Sequence, residues 1–232
     1  MPSVRIPARF NGPPLSGNGG YSCGALAAHV GPTARVRLHQ PPPLDIDMQV
    51  QEGGDGQLEM YHGGELVGSA WPAELEMEVP AAPSLEAAIE ASSRYVNLDE
   101  HDYPTCYVCG TERPKGDGLC LFPGPVDDWN LLACSWEPAA DTLDDAGSVR
   151  PEIVWSALDC PGYFAAFGAE KPVTLLGELT ADLLQDVPGQ QPLVVYAWPL
   201  GREGRKAWAG TAIADAAGEV FAVSLSLWII LK

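Results

Sequence analysis

The chain has 232 residues, 31 of them acidic and 13 basic, and its formal net charge at pH 7 is −18. A field of that sign repels phosphate backbones and anionic lipids, so we expect neither nucleic acid nor a membrane surface as a partner. No stretch has the roughly 20 apolar residues that span a bilayer, and the first ten residues lack the apolar segment of a secretory signal. We therefore predict a cytoplasmic globular protein whose six cysteines are reduced thiols.

The first part of the chain reads as one helix followed by an antiparallel meander. Residues 4–10 alternate apolar and polar side chains, which is typical of a strand. The segment "GNGGYSCGALAAHV" (residues 17–30) predicts a helix with a glycine-rich start. Alternating segments at residues 34–40, 45–51 and 56–79 then predict strands joined by glycine-rich turns. We assign residues 1–82 to an N-terminal half.

Residues 83–118 are predicted to connect this half to a second one. Ser84 is placed to cap a short helix that ends near Arg94. Cys106 and Cys109 have the C-x2-C spacing of a zinc knuckle, for which further candidate ligands are His101, Cys120 and Cys134. The alternative is a turn packed with small buried thiols. We assign no metal and no cofactor.

Residues 119–232 repeat the plan of the first half. A helix is predicted at residues 151–167, and strands at residues 118–124, 131–138, 173–184, 191–201, 206–215 and 218–231. A curved antiparallel sheet with one polar face can cover its other face with a single apolar helix. The predicted fold class is α+β and resembles a double hotdog, two tandem repeats in which an antiparallel sheet wraps a central helix.

Three segments resemble known thioesterases. "WSALDCPGYFAAF" (residues 155–167) and "WAGTAIADAAGEVFAVSLSLWII" (residues 208–230) are similar to the C-terminal half of the double-hotdog, type II acyl-CoA thioesterases. "GNGGYSCGALAA" is similar to the "HGG" helix start of the single-hotdog, phenylacetate-type thioesterases. The likeness covers both halves of the chain but not the connector.

The resemblance implies a set of catalytic residues that differs between the halves. In the type II family a helix aspartate, a hydroxyl or amide residue on the next strand and a glutamine on a later strand orient the attacking water. Asp159 matches the aspartate, and Thr174 is the nearest hydroxyl. The place of the glutamine falls near Ser226. In the first half, Asn18 stands where the family has histidine, and the later helix acid falls among Ala27 and Ala28.

The start of the first helix offers donors for the oxyanion that forms during thioester hydrolysis. Unpaired N–H groups at a helix start point outward, and glycine lets a carbonyl approach them without a side chain in the way. Gly19 and Gly20 are therefore candidate substrate-binding residues, and Asn18 can cap the helix or donate its amide. The alternative is an ordinary asparagine cap, with glycines that allow close packing.

Asp159 is the candidate that positions and deprotonates water. It lies four residues after Trp155 and four before Tyr163, so in a continuous helix it shares their apolar stripe, where an unpaired carboxylate is costly. Pro161 predicts either a kink near Ala157 or a second helix that starts just after Asp159. An alternative role for Asp159 is a local cap. We expect the acyl site to be lined by apolar residues such as Trp155, Tyr163, Phe164, Trp198 and Trp208.

The sequence thus predicts a hydrolase that acts on an acyl-CoA or acyl-carrier thioester. The alternative is a non-catalytic protein of the same fold that binds an acyl group or acyl-CoA. Two fused repeats already form the pair that single-repeat chains make by dimerising, so a monomer is consistent with the sequence. Exposed sheet edges leave a homodimer as the alternative.

Overall fold

The computed structural model describes residues 2–96, 101–114 and 116–231. In the N-terminal half the strands are β1 (Ser3–Arg5), β2 (Thr33–Leu38), β3 (Asp47–Glu52), β4 (Leu58–His62) and β5 (Glu65–Pro72), and helix α1 spans Gly19–Ala27. Helix α2 (Leu85–Ser92) follows, and Ser84 caps it as predicted, because its side chain accepts a hydrogen bond from the Ala87 N–H.

The C-terminal half contains two helices and six strands. The helices are α3 (Pro151–Ala157) and α4 (Cys160–Phe167). The strands are β6 (Gly124–Asp127), β7 (Leu131–Trp136), β8 (Thr174–Leu183), β9 (Leu193–Glu203), β10 (Lys206–Ala214) and β11 (Val220–Ile230). No helix within the described residues is long and apolar enough to cross a membrane.

All these strands form one antiparallel sheet in the order β1-β3-β4-β5-β2-β8-β11-β10-β9-β7-β6. The two halves join where β2 pairs with β8, with Val36 opposite Leu179. Helix α1 lies on β2 and β5, whereas α4 lies on β9 and β10. Each half thus has a helix covered by its own antiparallel strands, which confirms the predicted fold.

The predicted helix at residues 151–167 is divided, because α3 ends at Ala157 and α4 begins at Cys160. Pro161 lies in the first turn of α4, where its missing N–H would have had no intrahelical acceptor. Of the two geometries left open by the sequence, the second helix after Asp159 is the one observed.

Three predicted strand segments differ from the structure. In the segment at residues 4–10, β1 ends at Arg5, and Ala8–Phe10 form a short 3-10 helix. Residues 118–123 lie before β6 rather than in a strand, and the Leu119 and Leu121 N–H groups donate to the Tyr107 and Val108 carbonyls of the connector. Residues 73–79 keep the alternating burial of a strand but belong to no ladder. Instead, Leu75, Met77 and Val79 pack on the outer face of the second half. Alternation marks which side chains are covered, and it does not require a strand partner.

Candidate functional site

The first turn of α1 contacts the break between α3 and α4. The Asp159 Oδ2 atom accepts hydrogen bonds from the Asn18 Nδ2 atom and from the Gly20 N–H, both at 2.8 Å. This approach requires glycine, because a Cβ at residue 20 would lie 2.6 Å from the Asp159 Cβ and 2.9 Å from the Ser156 Cα. The two halves of the chain therefore meet at a buried carboxylate that belongs to one half and is held by donors of the other.

Of the two roles that the sequence left open for Asn18, the structure shows the cap, while its amide donates to Asp159 and not toward a substrate oxyanion. Its Oδ1 atom accepts from the Tyr21 N–H at 2.9 Å, which caps α1. Its amide nitrogen donates to Asp159. One side chain thereby fixes the start of α1 and orients the acid across the interface between the halves.

The second oxygen of Asp159 is buried and has no hydrogen-bond partner among the described residues. The residue as a whole is 2% exposed. Burial raises the pKa of Asp159 to about 7, partly opposed by the hydrogen bonds from Gly20 and Asn18. A carboxyl group with that pKa is partly ionised near neutrality, which is the range that suits a general base.

Asp159 lies on the wall of a cavity of about 340 Å³. The same wall includes five other predicted site residues, namely Asn18, Gly19, Tyr163, Phe164 and Thr174. Most of the remaining lining is apolar and includes Leu38, Leu175, Leu176, Trp228 and Ile229. Its volume and its mostly apolar lining with a few convergent polar groups are typical of small-molecule sites.

Thr174 and Tyr163 reach this wall from different elements. Thr174 is the first residue of β8, is buried, and is paired with Ile230. Tyr163 comes from α4, and its hydroxyl donates to the Pro172 carbonyl at 3.1 Å. The segment that leads into β8 therefore contributes to the cavity together with α4.

The other predicted site residues lie away from this cavity wall. The Gly20 N–H is already bonded to Asp159, so the predicted role of this amide as a donor to substrate does not fit the geometry. Trp155 lies between α3 and α1, where a Cβ at residue 24 would be 2.7 Å from its own Cβ. Trp198 stacks on Tyr196 on the outer face of the sheet, and Trp208 is also outside the cavity lining.

Ser226, at the place of the family's glutamine, does not offer a free polar group to orient water. Its hydroxyl donates to the Ala209 carbonyl at 3.2 Å and accepts from the Trp228 Nε1 atom at 3.0 Å. It lies beneath Gly162, where an added Cβ would be 2.6 Å from its oxygen. Ser226 therefore helps to pack α4 onto the sheet.

Three cysteines line the same cavity beside Asp159. The sulfurs of Cys106, Cys109 and Cys160 all lie within 4.8 Å of one another. Cys106 and Cys109 are the predicted C-x2-C pair, whereas His101, Cys120 and Cys134 are not part of this group. Cys160 lies 54 residues beyond Cys106, so no spacing pattern in the sequence identifies it as their partner.

The thiol of Cys106 differs from its two neighbours. Hydrogen bonds from the Cys109 and Cys160 thiols, followed by those from the Cys109 and Val108 amides, lower the pKa of Cys106 against the effect of burial. Interaction with Cys106, together with burial, raises the pKa of Cys109 and of Cys160.

Structural comparison identifies the architecture. The chain is similar to the tesB protein of Mycobacterium avium subsp. paratuberculosis, at 14% identity and a TM-score of 0.61, over 99% of this chain and 91% of that one. It is also similar to the acyl-CoA thioesterase II TesB2 of Mycobacterium marinum, at 12% identity and a TM-score of 0.59, over 92% and 90% of the two chains. A conserved hot-dog-fold protein of unknown function from Alicyclobacillus acidocaldarius matches at 13% identity, TM-score 0.60, over 98% and 92%. The chain is a double hotdog.

No protein-family model and no curated protein sequence matches this double hotdog. Identities of 12–14% establish a shared fold, but they do not transfer the role of any residue. The chemistry of the site therefore depends on the contacts of Asp159 and Asn18 and on the cavity that they line.

Proposed function

We propose that this double hotdog hydrolyses the thioester of an acyl group carried by CoA or by a carrier protein. The observation that carries the proposal is the arrangement of Asp159. One of its oxygens is held by Asn18 and Gly20 of the other half, while the second is buried, unpaired within the described residues, and belongs to a residue on an apolar cavity wall. Two proteins of similar structure, a tesB protein and an acyl-CoA thioesterase II, support the same reaction class by their names.

In the proposed reaction the free oxygen of Asp159 takes a proton from water as the water oxygen attacks the thioester carbonyl. The carbonyl becomes a tetrahedral oxyanion. When the intermediate collapses, the carbon–sulfur bond breaks, and the proton on Asp159 passes to the departing thiolate. The products are a carboxylic acid and a free thiol, and Asp159 returns to its ionised state.

Gly19 is the proposed donor to the oxyanion. It is the first residue of α1, so its N–H has no acceptor one turn earlier within the helix, and the residue lines the cavity. Donors already in place where charge develops stabilise the transition state without reorganisation. Thr174 lines the same cavity and is proposed to hold the water or the thioester through its hydroxyl, while Tyr163 and Phe164 contact the acyl group.

The test is turnover of a panel of acyl-CoA esters of increasing chain length. Loss of thioester absorbance is the better readout, because it does not depend on reagents that react with the protein's own thiols. In Asp159→Asn, the new side chain keeps an oxygen acceptor for Asn18 and Gly20 but cannot take a proton. We expect kcat/KM to fall by about 10²–10⁴-fold. The melting temperature should not fall, because a buried carboxylate is replaced by a neutral amide.

The matched control is Asp186→Asn. Asp186 is exposed and lines a separate cavity at the opposite end of the helix pair, so this variant should keep wild-type turnover. Wild-type kcat in Asp159→Asn would contradict the proposed base.

A non-catalytic acyl-binding protein is the second candidate. It is favoured by Ser226, because the hydroxyl at the place of the family's glutamine is already bonded to Ala209 and Trp228. Saturable acyl-CoA binding without thioester loss across the panel would support this candidate and rule out the hydrolase.

A further inference from the structure

The sulfurs of Cys106, Cys109 and Cys160 have the spacing of ligands around one ion. The Cys106 and Cys160 sulfurs are 3.8 Å apart, and every pair lies within 4.8 Å. In a tetrahedral site with zinc–sulfur bonds of about 2.3 Å, two sulfurs are separated by about 3.8 Å. The three side chains come from two distant segments, and their sulfurs are already close enough to bind one ion.

The turn that carries Cys106 and Cys109 is tight. The Gly110 N–H donates to the Cys106 carbonyl at 3.0 Å, and a Cβ at residue 110 would lie 2.5 Å from that oxygen. Glycine at residue 110 therefore allows the tight turn that places Cys106 and Cys109 side by side, in the C-x2-C arrangement of zinc-binding turns.

A tetrahedral zinc site needs a fourth ligand, for which the candidates are His101, Cys134 and a molecule in the cavity. The Tyr103 N–H donates to the His101 Nδ1 atom at 2.9 Å, so a neutral His101 carries its proton on Nε2 and cannot ligate through that atom. Cys134 lies on β7, away from the group. Cys106, Cys109 and Cys160 all line the cavity, so we place the fourth position on the cavity side. Three protein ligands and one open position are typical of zinc sites that bind water or a small ligand.

We propose that Cys106, Cys109 and Cys160 bind one zinc ion as thiolates, with the fourth position filled from the cavity by water or a small ligand. Each thiol that is protonated beforehand releases its proton on binding, and no oxidant or reductant is needed. Thiolate sulfur suits zinc in preference to hard cations such as calcium or magnesium. The proposal stands apart from the hydrolase, because it depends on sulfur geometry alone. It revises our assignment of no metal from the sequence.

The test begins with elemental analysis of the protein purified under reducing conditions without chelators, for which we expect one zinc per chain. The chelator-treated protein is then titrated with Co²⁺, where thiolate ligands give a sulfur-to-cobalt charge-transfer band that saturates at one equivalent. Cys160→Ser and Cys109→Ser should each weaken Co²⁺ binding at least about a hundredfold, because even partners outside the ligand set contribute 10–100-fold. Cys134→Ser removes a buried thiol elsewhere and should bind like the wild type.

A second measurement keeps the proposal falsifiable if the ligand variants do not fold. One equivalent of zinc should raise the melting temperature of the chelator-treated wild type, as does any ligand that binds only the folded state. Three results would overturn the proposal. They are a wild type that binds neither metal, Co²⁺ binding in Cys160→Ser equal to that in Cys134→Ser, or a disulfide between two of the three cysteines in the isolated protein. None of these readouts uses thioester turnover, so failure of the zinc site and failure of the hydrolase are separable.

Discussion

At each end of the α1–α3 pair the start of one helix lies beside a cavity, but the side chains at the two ends differ. The helices are antiparallel, because Gly20 contacts Ser156 while Gly24 contacts Glu152. At one end the start of α1 meets Asp159 beside a cavity of about 340 Å³. At the other end the start of α3 lies near Ala27 and Ala28 beside a cavity of about 350 Å³.

A helix start and a cavity are therefore not sufficient to make a site. Asn18 caps α1 through its side chain, whereas Arg150, which precedes α3, provides no side-chain cap within the described residues. Asp159 faces the start of α1, whereas Ala27 and Ala28 lie at the corresponding place near the start of α3. In the proposed function, only the end with Asp159 has an acid positioned for chemistry. Three substitutions test this difference.

The largest expected effect is on turnover in Asn18→Ala. The substitution removes one of the two donors that hold Asp159 and also the cap of α1. Misplacement of a catalytic group by about 1 Å can cost roughly 10²-fold in rate, so we expect kcat to fall by about that factor. Arg150→Ala at the start of α3 is the counterpart and should leave kcat unchanged. Equal effects of the two variants on kcat would show that the two helix starts do not differ in their role in turnover.

The next effect is on stability in Gly20→Ala. A methyl group at residue 20 meets the backbone of Ser156 and the Asp159 Cβ, neither of which can rotate away. Overpacking of this kind lowers the free energy of unfolding by about 1–3 kcal/mol, measured by urea denaturation. Gly54→Ala is the control, because residue 54 is exposed and an added Cβ has no neighbour within 4 Å. A Gly20→Ala protein as stable as this control would mean that the helices approach less closely than described.

The smallest effect is expected when an acid is placed at the far end. Ala28 is the exposed C-terminal cap of α1, where a carboxylate faces the negative end of the helix dipole. Ala28→Asp should lower the free energy of unfolding by about 0.3–1 kcal/mol and leave kcat unchanged. Ala28→Lys carries the opposite charge and should not be destabilising. An increase in kcat in Ala28→Asp would show that the far end can also act as a site.

Local patterns predicted much of the fold and part of the site. The Ser84 cap, the helix start at Asn18 and most of the alternating strands were found, because caps and period-two burial involve neighbours in sequence. The break in the second helix was one of two alternatives, since Pro161 permits both a kink and a new start. Residues 73–79 were misassigned because the same alternation arises when an extended segment packs on a sheet face.

By itself, the sequence determined the order of elements, the polar residue at the start of α1 and the acid before α4, since each depends on side-chain chemistry within one or two turns. Only the tertiary structure decided which of these residues meet. Asn18 and Asp159 are 141 residues apart, and Cys106 and Cys160 are 54 apart. Their contacts depend on the pairing of β2 with β8 and on the close approach of α1 to α3 at Gly20. No local pattern encodes them, because they result from the packing of the two halves against each other.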